Sequence, residues 1–466
     1  MSQRSISQTS VLHKHMSPRL VSPLVLAVAC GGSAFSQPLP LSLNLDTAYA
    51  DTKAAMLAGD ADIVCIGDSL TFRPGAYLPY FSNRLRATYG DGGNGFLGIS
   101  FWTGASFDPG WIYGVINTDV PPYRSLDNLW AGIAPNFWNQ TLSIITSYAG
   151  TGRLYYQTQP GGGTFSIERP GQPLLYVGTN APQPGLGIID IPTTLSSRFG
   201  YIVRTYAGQS SPMEEQPGEG LRPIEQGPFI LYGINWRSDR PGVRVHRAAN
   251  GGWGVDNFLQ RDQSFTDILR DINPQMYIIK LGQNDGRIDP AQYVLRMNAL
   301  VDRLLATTPD AEIVLVSTYD SGAPAVFALG NSMHTVAQQR GLGFINLRDA
   351  GGEYQSYLDR GYLDPDLLHF SPDGGRFVAN LLFDALESGG ASLTAACSDI
   401  EFNNNGVYPE EQDIVDFLTV LAGGPCPTAI ASQPGCDSID FNRDNVFPDD
   451  QDIIDFFNVL SGGTCQ

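Results

Sequence analysis

The sequence predicts an α/β protein on a doubly wound parallel sheet of the flavodoxin type, split by a β-rich insertion and followed by a small helical tail. Three observations predict it. Short apolar runs alternate with helical stretches over 63–89 and again over 244–386. Between them, 94–236 is rich in Gly, Pro and aromatic residues and poor in helix formers. After about 394 an acidic segment repeats with a period of 39 residues.

At 466 residues the chain is longer than one hydrophobic core ordinarily serves. Charged residues are only 16% of it, against 52 Gly and 32 Pro, a mix that favours turn-rich β structure over part of the length. The formal charge of −19 is uneven: 392–466 holds 13 acids against the single base Arg443, so −12 falls in the last sixth. This acidity argues against nucleic acid as a partner and points to cations in the tail. Residues 1–36 read as an export signal. Lys14, His15 and Arg19 precede an apolar run at 20–29, and small residues follow at 31–34. Cleavage is expected near Ser36, with Met16 an alternative start. The run is short and broken by Pro23, and no later stretch is long and apolar enough to span a bilayer. Cys30 stands where a lipid-bearing cysteine would, but Ala27-Val28-Ala29 matches that signal poorly, so removal is expected. The expected location is secreted or cell-surface.

The α/β domain is expected in two pieces, 50–93 and 237–390. Its first strand is the apolar run 63–66, stopped by Gly67-Asp68-Ser69-Leu70 and followed, after Pro74-Gly75, by a helix over 77–89. The insertion carries short alternating runs such as Arg153-Leu154-Tyr155-Tyr156-Gln157, with Pro160-Gly161-Gly162-Gly163 as a turn, which is the pattern of a β-sandwich. Its aromatics, Trp130, Tyr155 and Tyr156 among them, either fill the core or stack on sugar rings, and most are expected in the core. Strands then follow at 244–248, 276–281, 312–317 and 343–347, with helices at 256–270, 290–307, 325–339 and 374–386. Cys65, in the first strand, reads as a core thiol.

In the tail, 394–466, each repeat holds a loop and a short amphipathic helix, striped by Ile414, Phe417 and Leu421 and by Ile453, Phe456 and Leu460. Cys397 and Cys426 are 29 residues apart, as are Cys436 and Cys465. Paired in that way they would staple two similar units.

Acyl transfer needs a nucleophile, a base, a group that orients the base, and donors for the oxyanion. Ser69 stands at a strand-to-helix turn, at the carboxyl edge where open α/β sheets place their ligands. Leu281-Gly282-Gln283-Asn284-Asp285 and Ala249-Asn250-Gly251-Gly252-Trp253-Gly254 each follow a strand and reach the same edge. Asp366-Leu367-Leu368-His369 precedes the last helix. An Asp three residues before a His can hold one ring nitrogen and leave the other for Ser69. His246 falls in a predicted strand and His334 in a predicted helix, which leaves His369 as the base.

These blocks, Gly67-Asp68-Ser69-Leu70, Gly254, Gly282-Gln283-Asn284-Asp285 and Asp366-Leu367-Leu368-His369, resemble in order the four blocks of the SGNH/GDSL hydrolase family. The resemblance covers about 50–92 and 237–390. It implies a three-layer α/β/α fold, catalysis by Ser69, His369 and Asp366 without a cofactor, and an oxyanion hole of Ser69, Gly254 and Asn284, with Gly251 and Gly252 competing for the glycine's role. The interrupted hydrolase is similar to bacterial polysaccharide and peptidoglycan O-acetylesterases, which implies an acylated, and first of all acetylated, polysaccharide or oligosaccharide as substrate. The tail resembles a dockerin-type repeat pair. That implies Ca2+ at Asp440, Asn442, Asp444 and Asp452 and at Glu401, Asn403, Asn405 and Asp413, and a cohesin-like protein partner. Gln451 at the twelfth loop position and Asn445 at the sixth depart from the calcium-loop pattern. The resulting expectation is a secreted serine esterase. Its alternatives are a non-catalytic carbohydrate-binding or scaffold protein, and a lipase or aryl esterase of the same family.

Overall fold

The computed structural model describes residues 39–99, 106–107, 111–113, 124–133, 141–146, 149–168, 173–193, 199–205, 213–216, 220–223, 227–393, 400, 402–403, 410–426, 436, 439–441 and 448–461. One sheet has six strands: β1 Ser42–Leu43, β2 Asp60–Gly67, β3 Gly242–Ala249, β4 Met276–Lys280, β5 Glu312–Val316 and β6 Gly343–Ile345. Their order is β1-β6-β5-β4-β2-β3. All neighbours are parallel except β1, which runs antiparallel to β6. The sequence suggested five strands. The sixth is two residues long, too short to carry a periodicity.

Alternation along β2 explains the layers. Val64 and Ile66 face one core with Phe258, Leu269, Leu300 and Val336, while Ile63 and Cys65 face the other with Tyr77, Phe81, Leu85 and Leu382. Helices Gln263–Ile272, Pro290–Thr307 and Pro324–Arg340 thus cover one face, and Tyr77–Tyr89 and Pro372–Glu387 the other. This is a three-layer α/β/α arrangement. The chain leaves β2 for β3 on one side and returns to β4 on the other, so the carboxyl ends of these strands gather around β2.

The helix expected over 256–270 is two helices, Val255–Leu259 and Gln263–Ile272. Asp262 caps the second by accepting from Ser264 N–H, and Arg303 Nη1 donates to the carbonyls of Phe258 and Leu259 at the break.

Between β2 and β3 the described residues form two large antiparallel sheets and a two-stranded one, Met213–Gln216 with Gly220–Pro223. One orders Leu175–Gly178, Thr164–Glu168, Phe199–Thr205, Thr141–Thr146 and Ser106–Phe107. The other orders Gly185–Thr193, Gly150–Thr158, Phe229–Ser238, Ala131–Ile133 and Trp111–Tyr113, with Gly95–Gly98 also on Phe229–Ser238. Phe165, Ile167 and Val177 from the first meet Leu154, Ile191, Phe229 and Leu231 from the second in one core. Phe96, Leu126, Tyr155 and Tyr232 of this segment instead belong to a core of the α/β sheet.

In the tail, helices Glu411–Leu421 and Asp450–Leu460 pack through Phe402, Phe417, Phe441 and Phe456. Phe417 and Phe456 stack with centroids 4.1 Å apart. The expected disulfides within each repeat require correction: Cys426 bonds Cys436, with Cα atoms 5.5 Å apart. Face-to-face packing of the helices brings the end of one repeat beside the start of the next, which equal spacings in sequence do not reveal. Cys397 and Cys465 lie outside the described residues.

Candidate active site

The apolar strand β2 ends at Gly67, where a side chain would collide with Thr71 Oγ1, and the chain turns at once into the helical turn Ser69–Phe72. Asp68 is extended, with φ −103°, and its carboxylate accepts from Leu70 N–H at 2.9 Å. Ser69 opens the turn, so its own N–H has no intrahelical acceptor.

His369 Nε2 lies 2.8 Å from Ser69 Oγ, and Nδ1 lies 2.7 Å from Asp366 Oδ2. With Asp366 ionised, Nδ1 donates to the carboxylate and Nε2 is left to accept the serine proton. Asp366 Oδ1 also accepts from the N–H groups of His369 at 2.9 Å and Leu368 at 3.1 Å. Partial desolvation works against ionisation here. The hydrogen bonds from His369 and Leu368 outweigh it and hold the carboxyl well below the usual carboxylate range. Leu367 takes φ +57° to close this turn, and the phenols of Tyr354 and Tyr319 donate to the carbonyls of Leu367 and Leu368.

Asn284 follows β4 through Gly282, whose φ of +122° suits glycine. One Nδ2–H of Asn284 donates to Trp253 O at 2.9 Å, which leaves the other N–H for a ligand. The Gly254 amide donates to Asn257 Oδ1 at 2.9 Å and closes the start of Val255–Leu259. Gly254 is thus less open as an oxyanion donor than its place in the sequence implied. Its part in the site is close approach, because a Cβ there would lie 2.1 Å from Asp285 Oδ1. That oxygen accepts from Val255 N–H at 3.0 Å and ties the glycine loop to the Asn284 turn.

Sequence reasoning passed over several groups. Arg73 Nη1 donates to Asp366 Oδ2 at 3.0 Å, the same oxygen the imidazole uses. Tyr319 stands on the loop after β5, a strand-edge position that the argument used for Asn284 could have flagged. Lys280 is a charge inside an otherwise apolar strand, which was a visible signal. It is fully buried, with Nζ 5.8 Å from the Phe370 ring centroid. Burial lowers its pKa and raises that of Asp68, and their opposite charges counter both shifts.

His246 is set apart by its bonds: Nδ1 accepts from Phe96 N–H at 2.9 Å and Nε2 meets Asp62 Oδ1 at 2.7 Å. In the tail, Asp452 accepts from Phe441 and Asp449 N–H groups, and Asp413 from Asn403 and Glu410 N–H groups. The bonds from Asp449 and Glu410 close the starts of the two helices, and those from Phe441 and Asn403 tie each helix to the loop before it. Asn403 and Asp440 are buried. Glu401, Asn405, Asn442 and Asp444 lie outside the described residues, and among the described residues no group of three His, Cys, Asp or Glu side chains could hold a metal. No helix among them is long and apolar enough to cross a membrane.

Residues 233–377 match the GDSL-like Lipase/Acylhydrolase family, a stretch that includes Gly254, Asn284, Asp366 and His369 but begins after Ser69. No curated protein sequence matches the chain. Among solved structures, one described as a peptidoglycan O-acetylesterase in action is similar with a TM-score of 0.60 and 19% identity, over 76% of this chain and 100% of that one. At that identity the likeness is one of fold. An acetylxylan esterase from Geobacillus stearothermophilus matches 31% of this chain and 73% of its own, with 18% identity and a TM-score of 0.27.

Proposed function

We propose that this chain, which carries a GDSL-like hydrolase domain, is an exported serine esterase that removes small acyl groups, acetyl first among them, from a carbohydrate polymer. The observation that carries the reading is the unbroken relay from Ser69 Oγ through the His369 ring to Asp366, with contacts of 2.8 and 2.7 Å. The carbohydrate and the acetyl group rest on the fold likeness to a peptidoglycan O-acetylesterase and on the aromatic-rich insertion.

In this reading Ser69 Oγ attacks the ester carbonyl while His369 Nε2 takes its proton. The imidazolium is stabilised by Asp366, whose Oδ2 also accepts from Arg73. The tetrahedral oxyanion is received by Ser69 N–H and the open N–H of Asn284. Collapse expels the sugar hydroxyl, protonated by His369, and leaves an acyl-serine. Water, deprotonated by the same imidazole, then releases the carboxylic acid. Ser69→Ala is expected to abolish hydrolysis of p-nitrophenyl acetate and of an acetylated polysaccharide while leaving the melting temperature within a degree or so. Unchanged turnover by that variant would rule the mechanism out. A folded wild type that hydrolyses neither ester would favour a carbohydrate-binding or scaffold role. The export signal at 1–36, and a tail that takes calcium and docks a cohesin-like partner, belong to the same proposal.

A further inference from the structure

We infer that the inserted β-structure is part of the catalytic apparatus: its loop 124–130 positions both the nucleophile turn and the glycine loop after β3, through Asp127 and Leu129. The inference rests on the serine-esterase reading but is tested separately from it.

Connecting loops ordinarily run over the surface, because their backbone groups need water. This one does not. Ser125, Leu126, Asp127 and Leu129 are fully buried, and Ser125 and Asn128 take φ of +58° and +56° to fold the segment tightly. Its polar groups are satisfied largely by the hydrolase. Ser125 N–H donates to Ser264 Oγ at 2.8 Å. Arg261 Nη2 donates to the carbonyls of Arg124 and Ser125. Asn250 Nδ2 donates to Asp127 O at 2.7 Å. The Asp127 carboxylate accepts from Leu129 N–H at 3.1 Å and from Arg247 Nη2 at 3.3 Å.

Three of these partners, Asn250, Arg247 and Arg261, adjoin the turns that carry the catalytic groups. Asn250 begins the loop that carries Gly251, Gly252 and Gly254. The Arg247 guanidinium lies over the Phe72 ring, 4.4 Å from its centroid, and Phe72 is the third residue after Ser69 in the same helical turn. Leu129 packs with Phe72 and Ala249 in a small apolar cluster. Arg261 lies 4.5 Å from the Trp253 ring centroid, and Trp253 O holds Asn284. One buried loop therefore braces the turn that aims Ser69 and the backbone that aims Asn284. Reactivity depends on such placement, since a shift of about 1 Å at a reacting group can cost about 100-fold in rate.

A merely structural interface would make a different prediction, and the molecule supplies the control. Tyr155 OH donates to Asp271 Oδ2 at 2.8 Å and Arg153 pairs with the same carboxylate, tying the insertion to helix Gln263–Ile272 near the opposite end of the sheet. In the full chain, Asp127→Ala and Leu129→Ala are expected to lower kcat for p-nitrophenyl acetate at least tenfold, with KM within about twofold. The rate of inactivation by a fluorophosphonate should fall in parallel. Asp271→Ala is expected to lower the melting temperature and leave kcat unchanged. Amide exchange over 68–73 and 250–254 should rise at least tenfold in the first two variants and not in the third. Should Leu129→Ala fail to fold, Leu129→Val gives the same comparison at smaller amplitude. The inference is overturned if the loop variants keep wild-type kcat and lose only thermal stability, or if Asp271→Ala lowers kcat equally. Protection at 68–73 and 250–254 that does not change in the loop variants overturns it even if the wild type proves to hydrolyse no ester. Lack of wild-type hydrolysis alone would instead count against the esterase reading.

Discussion

Asp285 is nearly buried beside the glycine loop, and burial pushes its carboxyl up to about 6 against the lowering effect of the Val255 N–H. In an unfolded chain the same group titrates near about 3.9. Between these values the folded chain keeps a proton that the unfolded chain has released. The contribution of Asp285 to stability must therefore fall as pH rises from about 4 through about 6, by an amount on the order of 3 kcal/mol. Asp285→Asn keeps an acceptor for Val255 N–H and removes the titration. Urea midpoints at pH 4.5 and 7.5 should show the wild type losing more stability on going to the higher pH than the variant does. Equal losses would assign the effect elsewhere. Asp366 behaves oppositely: its hydrogen bonds keep it ionised throughout the range where an imidazole can act as a base. Ser69, His369 and Asp366 were legible as candidates because each lies in a short turn after an apolar strand or before a helix. Arg73 was not, because its contact with Asp366 spans 293 positions in the chain.

The informative elements are the turns at the ends of the strands. The glycine loop after β3 and the Asn284 turn after β4 interlock at the Gly254–Asp285 contact, which leaves no room for a methyl group. Gly254→Ala must push the Asp285 carboxylate away, open its bond to Val255 N–H and shift the Trp253 carbonyl that orients Asn284. The expected result is a loss of at least 100-fold in kcat and roughly 1–3 kcal/mol of stability. Measured kcat within threefold of wild type would show that the two turns are not coupled in this way. Strand positions were legible from their apolar runs, since an α/β sheet buries both faces of its strands. The break between Val255–Leu259 and Gln263–Ile272 was not, because hydrophobic spacing runs through it and the Arg303 bonds to its carbonyls come from a distant helix.

For the whole molecule, the arrangement of cores decides which parts depend on one another. The tail's buried core consists of its own phenylalanines, Phe402, Phe417, Phe441 and Phe456. A chain ending at residue 393 is therefore expected to keep kcat and KM within about twofold. Calcium or a chelator should move only a tail transition in the full chain, with esterase rates unchanged. Loss of activity on truncation would show that the tail contributes to the site. The insertion is the opposite case, because its Phe96, Leu126, Tyr155 and Tyr232 are core residues of the α/β sheet. Its excision would open that core.

By itself the sequence determined the alternation of strands and helices, the β character of the insertion, the repeat in the tail and the short list of reactive side chains. These follow from local rules: side-chain period, turn chemistry and the spacing of motifs. Only the tertiary structure decided that Cys426 meets Cys436, that the Gly254 amide is engaged by Asn257, that Lys280 is buried near Asp68, and that loop 124–130 packs against the turn that follows Ser69. Each of these joins segments through the packing of sheets and helices against one another. No local pattern carries that information, because the contact is a property of both partners and of the layers that bring them together.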